Sequence, residues 1–328
     1  TKSIPRLPNL SENCNEETPL VSFALNQFGV SGGFGDRLLG MVTTYYLAIM
    51  TNSSFAVHWT RPYNLSHFFA LPSCGRHVVG AKHQQSKQGP TGDSGDVVSS
   101  SSSESSDDGG NNRVFRTAID DWKYFSDSWF LNDTGKSVEI STNSFHWKRI
   151  VRNQACRERA LSLGLLNLSQ VELFKLAVDE MFRHPTSVVR ESFESVMRRL
   201  ANGQKNAVPY VGIQIRLGGK NSNPVSGWVD PSRHSLDQVQ CFAAEAVQMC
   251  RRMHIGSIFV TADSEVAVRA FEDAVARESA SSISSSHLTP PIVVHVPGVI
   301  GHTDRSSVAE ERASDVWLKS ILDWWVLK

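Results

Sequence analysis

Short apolar runs alternate with longer stretches of helical periodicity along this chain. That alternation narrows its fold more than any other feature, because parallel strands need a crossover and a helix is the usual one. Val21 to Leu25 reads as a strand, followed by a glycine-rich turn, an apolar helix from about Asp36 to Met50 and a strand from Phe55 to Trp59. These make one βαβ unit. The strand signal returns at Tyr210 to Arg216, Ile258 to Thr261 and Ile292 to Val296. Between these strands, Ser235 with Gln238 caps a helix running to about Met253, and Val266 to Arg277 reads as another. The fold class is α/β, and a second nucleotide-fold half is the economical reading.

The middle of the chain is helical. Ser169 and Glu172 form a capping-box pattern ahead of a helix with Leu173, Phe174, Ala177, Met181 and Phe182 on one face, ended by His184-Pro185. A second helix carries Val189, Phe193, Val196, Met197 and Leu200, with Gly203 just past its end. The expected organisation is an N-terminal domain over 1–168, a helical bridge over 169–205 and a second domain over 206–328. A segment of about 84–112 is Ser, Gly and Asp with almost no large apolar residue. It cannot bury enough surface to offset its ordering entropy, so it reads as a disordered insertion, with a phosphorylated acidic tail as the alternative. Ser279 to Ser286 reads as a second loop.

The 328 residues include 33 Lys plus Arg and 33 Asp plus Glu. No global field therefore favours nucleic acid or an anionic membrane, and any bound anion must be held by local groups. No apolar run approaches the roughly 20 residues that cross a bilayer, so an anchor or signal is expected only outside this chain. The five cysteines show no CxxC or Cys/His ligand spacing. Cys241 and Cys250 fall on one expected helix about 13 Å apart, beyond disulfide reach, while Cys14, Cys74 and Cys156 remain open to pairing. Asn-x-Ser/Thr sites at Asn9, Asn52, Asn64, Asn132 and Asn167 are compatible with a secretory-pathway lumen.

Three constellations could carry chemistry. The first is Gly32-Gly33-Phe34-Gly35-Asp36-Arg37-Leu38, between a strand and a helix N-terminus. There glycines permit close backbone approach and the helix end favours phosphate or carboxylate. Leu38 stands where a dinucleotide fingerprint has its third glycine, and the P-loop Lys-Ser/Thr is absent. Asp36 capping the helix beside a plain tight turn is the alternative. The second constellation is Gln214-Ile215-Arg216-Leu217-Gly218-Gly219-Lys220 at a strand end. Arg216 is placed there to fork onto a diphosphate, with Lys220 a further charge, or else to pair with a structural carboxylate. The third is Thr261-Ala262-Asp263-Ser264. Its Asp263 and Ser264 either meet a ribose or base edge or cap the next helix.

Taken with the closing Leu322-Asp323-Trp324-Trp325-Val326-Leu327, these motifs occur in the order seen in α1,2-, α1,6- and protein O-fucosyltransferases. The chain resembles that superfamily, plant xyloglucan fucosyltransferase-like members included, over most of its length outside the Ser-rich insertion. The resemblance implies a GT-B fold of two facing Rossmann-like domains, the second incomplete at its C-terminus. It also implies a Golgi or other secretory location and inverting transfer of fucose from GDP-fucose to a glycan or glycoprotein, without metal or other cofactor. By the same resemblance Arg216 would hold the diphosphate and steady the leaving oxygen, and Gly33, Phe34 and Gly35 would line the diphosphate. Gln214, Gly218 and Lys220 would complete the donor site, Asp263 and Ser264 would contact the nucleoside, and Asp36 would act as base or acceptor orienter. The family strand reads His-x-Arg-x-Gly-Asp, whereas this chain has Gln214 for the His and Gly219 for the Asp. A catalytically inactive nucleotide- or glycan-binding relative, or a transferase using another nucleotide sugar, are the alternatives. Trp317, Trp324 and Trp325 read as packing residues, with sugar stacking as the lesser use.

Overall fold

A computed structural model of the chain describes residues 7, 18–24, 33–59, 63–71, 116–118, 137–204, 208–218, 231–281, 289–298, 300 and 310–328. The 84–112 insertion, Cys14, Cys74, Gly219 and Lys220 lie outside them. The chain is mixed α/β with two parallel sheets. Two compact units emerge: one formed by Thr1–Arg61 and Ala70–His184, the other by Pro62–Phe69 and Pro185–Lys328.

In the first unit, β1 (Leu20–Ala24), α1 (Phe34–Thr51) and β2 (Ser54–His58) form the expected βαβ unit, with β1 and β2 parallel neighbours paired from Leu20 opposite Ser54 to Ala24 opposite His58. Two further strands, β3 (Arg116–Ala118) and β4 (Val138–Ser141), were not foreseen; the sheet order is β2-β1-β4-β3. Leu20, Val21, Phe23 and Ala24 of β1 are all buried, as suits a strand with a neighbour on each edge and cover on both faces.

Helix α1 is buried nearly all round, from Leu38 through Met50. At Gly40 it comes so near the backbone just past β4 that an added Cβ would lie 1.6 Å from the Thr142 carbonyl oxygen. Gly40, Thr43 and Thr44 are the small and hydroxylated residues at this approach. Thr43 donates to the Ser144 carbonyl at 2.7 Å and accepts from the His146 N–H at 3.0 Å, while Tyr46 donates to the Leu173 carbonyl at 2.7 Å. The Thr43 and Tyr46 hydroxyls are thus satisfied by the segment that follows β4. That segment continues into α2 (Trp147–Arg152), α3 (Arg157–Ser162) and α4 (Gln170–Met181). The Ser169–Glu172 capping box forms reciprocally, at 3.2 and 2.7 Å.

In the second unit, α5 (Ser187–Leu200) precedes β5 (Val211–Ile215), α6 (Leu236–Met253), β6 (Ser257–Ala262), α7 (Glu265–Ser281), β7 (Ile292–Val294) and α8 (Glu310–Leu327). The sheet order is β5-β6-β7, all parallel. Helix α7 extends through Ser281, so the first serines of the expected 279–286 loop are its last turn. Gly203, beyond α5, has φ +80°, the left-handed conformation expected of a glycine past a helix end. At α6 the Ser235 N–H donates to Gln238 Oε1 at 2.9 Å. Ile258, Val260 and Ala262 of β6 and Val211, Ile215 and Leu217 of the β5 segment form one core with Val239, Ala243 and Val247 of α6 and Phe271 of α7. The other sheet face meets α8: the Gly212 Cβ position lies 2.9 Å from Leu327 Cδ2. Trp325 of α8 stacks on Phe69 at 5.0 Å with 5° between planes, and Trp317 is 2% exposed, so packing is what both do. Cys156, Cys241 and Cys250 are free thiols.

The contrast between two α1 glycines gives a direct test. Gly40→Ala forces a methyl group into backbone and should lower unfolding stability by about 2 kcal/mol or more. Gly35→Ala meets nothing within 4 Å and should leave stability unchanged or raise it by about 0.5 kcal/mol. Urea unfolding of both variants checks this; equal stabilities would contradict the packing described.

Candidate functional site

Strand periodicity organises the second unit's site. Because side chains alternate across a strand, Val211 and Ile215 enter the core while Gln214 and Arg216 share the opposite, exposed side. Gln214 stands opposite Thr261 in the ladder and Ile215 opposite Ala262, so Arg216 leaves β5 level with Asp263 leaving β6. Carboxyl ends of parallel strands are where open α/β sheets hold ligands.

The backbone beyond Arg216 is tied down from two directions. Asp263 accepts the Leu217 N–H on Oδ1 at 3.0 Å and the Gly218 N–H on Oδ2 at 2.8 Å, and its own N–H donates to the Ile215 carbonyl at 3.3 Å. From the other side the Leu217 carbonyl accepts the N–H groups of Arg233 and His234, at 2.8 and 3.3 Å. Gly218 has φ +62°, and a Cβ there would lie 2.0 Å from the Pro231 carbonyl oxygen, so this position requires glycine. Ser264 is buried and its Oγ accepts the Ala267 N–H at 3.1 Å, the capping use that its sequence position also allows. Asp263 and Ser264 therefore both spend acceptor capacity inside the fold.

In the first unit, the candidate residues lie at the start of α1. The Gly33 N–H donates to Asp36 Oδ2 at 3.1 Å, half of a capping box whose other half a glycine cannot supply. Asp36 and Gly35 are exposed, whereas Phe34 turns inward with its ring 5.8 Å from that of Trp59. Phe34 is thus a packing residue of the helix start. Arg37 was assigned no role from sequence, yet it is 5% exposed with its guanidinium carbon 5.6 Å from the Trp59 ring centroid. Cation–π contact and burial of its aliphatic stem account for an arginine there. Its signal was the spacing alone: one residue past Asp36, it faces away from the exposed Gly35–Asp36 edge.

Sequence reasoning also missed a cluster of titratable groups on the α8 side of the second sheet. Lys319 Nζ and Asp323 Oδ2 are 2.8 Å apart with side chains 6% and 14% exposed. Burial pushes the Asp323 carboxyl above the ordinary carboxylate range; the Lys319 charge, then Thr261 and His295, partly offset this. Among the described residues Asp323 Oδ1 has no hydrogen-bond partner. His295 in turn faces Glu272, with Nδ1 3.3 Å from Oε1. Among the described residues no group of three His, Cys, Asp or Glu side chains could hold a metal ion, and no helix is long and apolar enough to cross a membrane.

Of the residues singled out from sequence, the structure brings Gln214, Arg216, Gly218, Asp263 and Ser264 to one sheet end and Gly33, Phe34, Gly35 and Asp36 to one helix start. Comparison with protein-family profiles and with curated proteins finds no match.

The Asp323 environment makes a signed prediction. A carboxyl whose folded pKa is raised contributes its stability below the unfolded value, about 3.9, and loses it as pH rises through the folded value. The unfolding free energy of the native chain should therefore fall relative to that of Asp323→Asn as pH rises from about 3.9. Denaturant unfolding of both across that range checks it. A difference that moves the other way would mean that the Lys319 charge outweighs burial.

Proposed function

We propose that this chain is a glycosyltransferase that moves fucose from GDP-fucose to a glycan or glycoprotein acceptor with inversion. The observation that carries the reading is an exposed arginine, Arg216, at the carboxyl end of a parallel strand, beside a turn held by two backbone–carboxylate bonds. A planar guanidinium matches a diphosphate in a bidentate fashion, and a fixed strand end presents it with little reorganisation. Gln214, on the same side of the strand, adds a hydrogen-bonding group next to it.

In the reaction, the bond from the anomeric carbon to the β-phosphate oxygen breaks. A bond from that carbon to the acceptor oxygen forms on the opposite face, so configuration inverts. Arg216, with Lys220 as a second cation, takes the negative charge that accumulates on the departing phosphate oxygen, and the reading requires no metal for that purpose. The acceptor hydroxyl gives its proton to a base, the role assigned to Asp36, whose carboxylate is exposed at the start of α1. Gly35, with open space at its Cβ position, leaves room for close backbone approach. The GT-B arrangement and a Golgi or other secretory lumen belong to the same reading; the sequon residues Asn52 and Asn167 are exposed.

A second reading, an inactive nucleotide- or glycan-binding relative, is favoured by one observation: Asp263 is committed to the Leu217–Gly218 turn instead of being held open for a nucleoside. Turnover separates the two. Product mass after incubation with a panel of nucleotide sugars should identify fucosyl transfer from the GDP donor. Arg216→Ala should lower kcat by about 10²–10³, with Arg216→Lys recovering part of it. GDP binding without transfer to any acceptor would establish the inactive relative, and transfer from another donor would change the sugar assigned.

A further inference from the structure

We propose that Asp263 is a positioning residue for Arg216, acting through the backbone and not through contact with the nucleoside; this rests on the reading of Arg216 given above. Arg216 sits between two fixed points. On its N-terminal side Ile215 is in the ladder opposite Ala262 and accepts the Asp263 N–H at 3.3 Å. On its C-terminal side the N–H groups of Leu217 and Gly218 converge on the two oxygens of the Asp263 carboxylate, at 3.0 and 2.8 Å. One residue at the end of β6 thus holds the chain immediately before and immediately after the arginine.

The chemistry of this contact specifies a carboxylate. Two successive backbone N–H groups form an anion-binding nest, and each carboxylate oxygen takes one of them. An Asn amide offers a single acceptor oxygen, and its NH₂ would face the second N–H, donor against donor. Leu217 and Gly218 are buried, so an N–H left without its acceptor there finds no water in exchange. Gly218 cannot move aside, because its left-handed backbone is packed against the Pro231 carbonyl and Leu217 is held by Arg233 and His234. Loss of the carboxylate therefore loosens the peptide adjoining Arg216 while leaving the strand ladder in place.

The test is a double-mutant cycle on the full chain, read by GDP affinity and by amide hydrogen exchange. Asp263→Asn should weaken GDP binding by about tenfold and speed exchange at the Leu217 and Gly218 amides, whereas Arg216→Ala should weaken binding without speeding that exchange. Since Asp263 acts through Arg216, the double variant should bind GDP no more weakly than Arg216→Ala alone, and Asp263→Glu, which keeps a carboxylate, should retain more affinity than Asp263→Asn. Multiplicative losses in the double variant would overturn the positioning role and return Asp263 to direct nucleoside contact. Unchanged exchange at Leu217 and Gly218 in Asp263→Asn would overturn it as well. Absence of GDP binding by the native chain would instead sink the proposed function and the positioning role with it, an outcome distinct from either.

Discussion

The carboxylate of Asp263 holding two consecutive backbone N–H groups is the interaction on which the second unit's site depends. A parallel ladder fixes strand residues by bonds that stop where the strand stops, and the chain beyond is ordinarily free to wander. Here the end of one strand carries an acceptor to the end of the next, so order extends past Ile215 into Leu217 and Gly218. The charge of the acceptor matters: a hydrogen bond to an ionised partner is roughly twice as strong as a neutral one. In a chain with equal numbers of cationic and anionic side chains, anion recognition cannot come from bulk potential. In the proposed function it comes from a cation held in one place, Arg216 beside the turn after β5.

A comparable economy governs the first unit. Helix α1 comes close enough to the sheet that Gly40 meets the backbone after β4, and Thr43 and Tyr46 bond the Ser144 and Leu173 carbonyls and the His146 N–H there. The depth of the helix determines what lies at its start. Phe34 and Arg37 are drawn inward against Trp59, and only Gly35 and Asp36 remain at the surface. Of the candidates Gly33, Phe34, Gly35 and Asp36, helical geometry turns Phe34 into a packing residue beside Arg37 and leaves Gly35 and Asp36 exposed.

What was legible from sequence follows from the range over which each signal acts. The strands β1, β2, β5 and β6, the helices α1 and α4 to α7, and the capping boxes at Ser169 and Ser235 are written in residues a few positions apart, and they form where periodicity and caps place them. Strand β4 was not legible because it is four residues long and carries Glu139, so nothing local separates it from a loop; its partners β1 and β3 make it a strand. Helices α2 and α3 are too short for an apolar period to register. In sequence, Asp263 and Ser264 fit ligand contact and capping equally for the same reason. Ser264 bonds three residues ahead, within reach of a sequence rule, but Asp263 bonds residues more than forty positions earlier, which only the sheet brings together.

The buried pair Lys319–Asp323 illustrates the limit from the other side. A Lys and an Asp four apart on a helix read as an exposed i,i+4 pair worth a few tenths of a kcal/mol. Burial against the sheet changes its character, because removing two charges from water costs more than their attraction returns unless the remaining lone pairs are met. Among the described residues Asp323 Oδ1 is not met, and burial raises the carboxyl against the pull of the lysine. A buried pair of this kind is weak evidence for what holds α8. Its place is set by apolar contacts: Val316, Trp317, Ile321, Leu322 and Val326 are buried, Trp325 stacks on Phe69 and Leu327 lies against Gly212. Gly212, Gln214 and Arg216 are the outward positions of the β5 segment, and all three are exposed. Alternation along the strand is therefore what puts the arginine at the surface, with Val211 and Ile215 on the opposite side in the core.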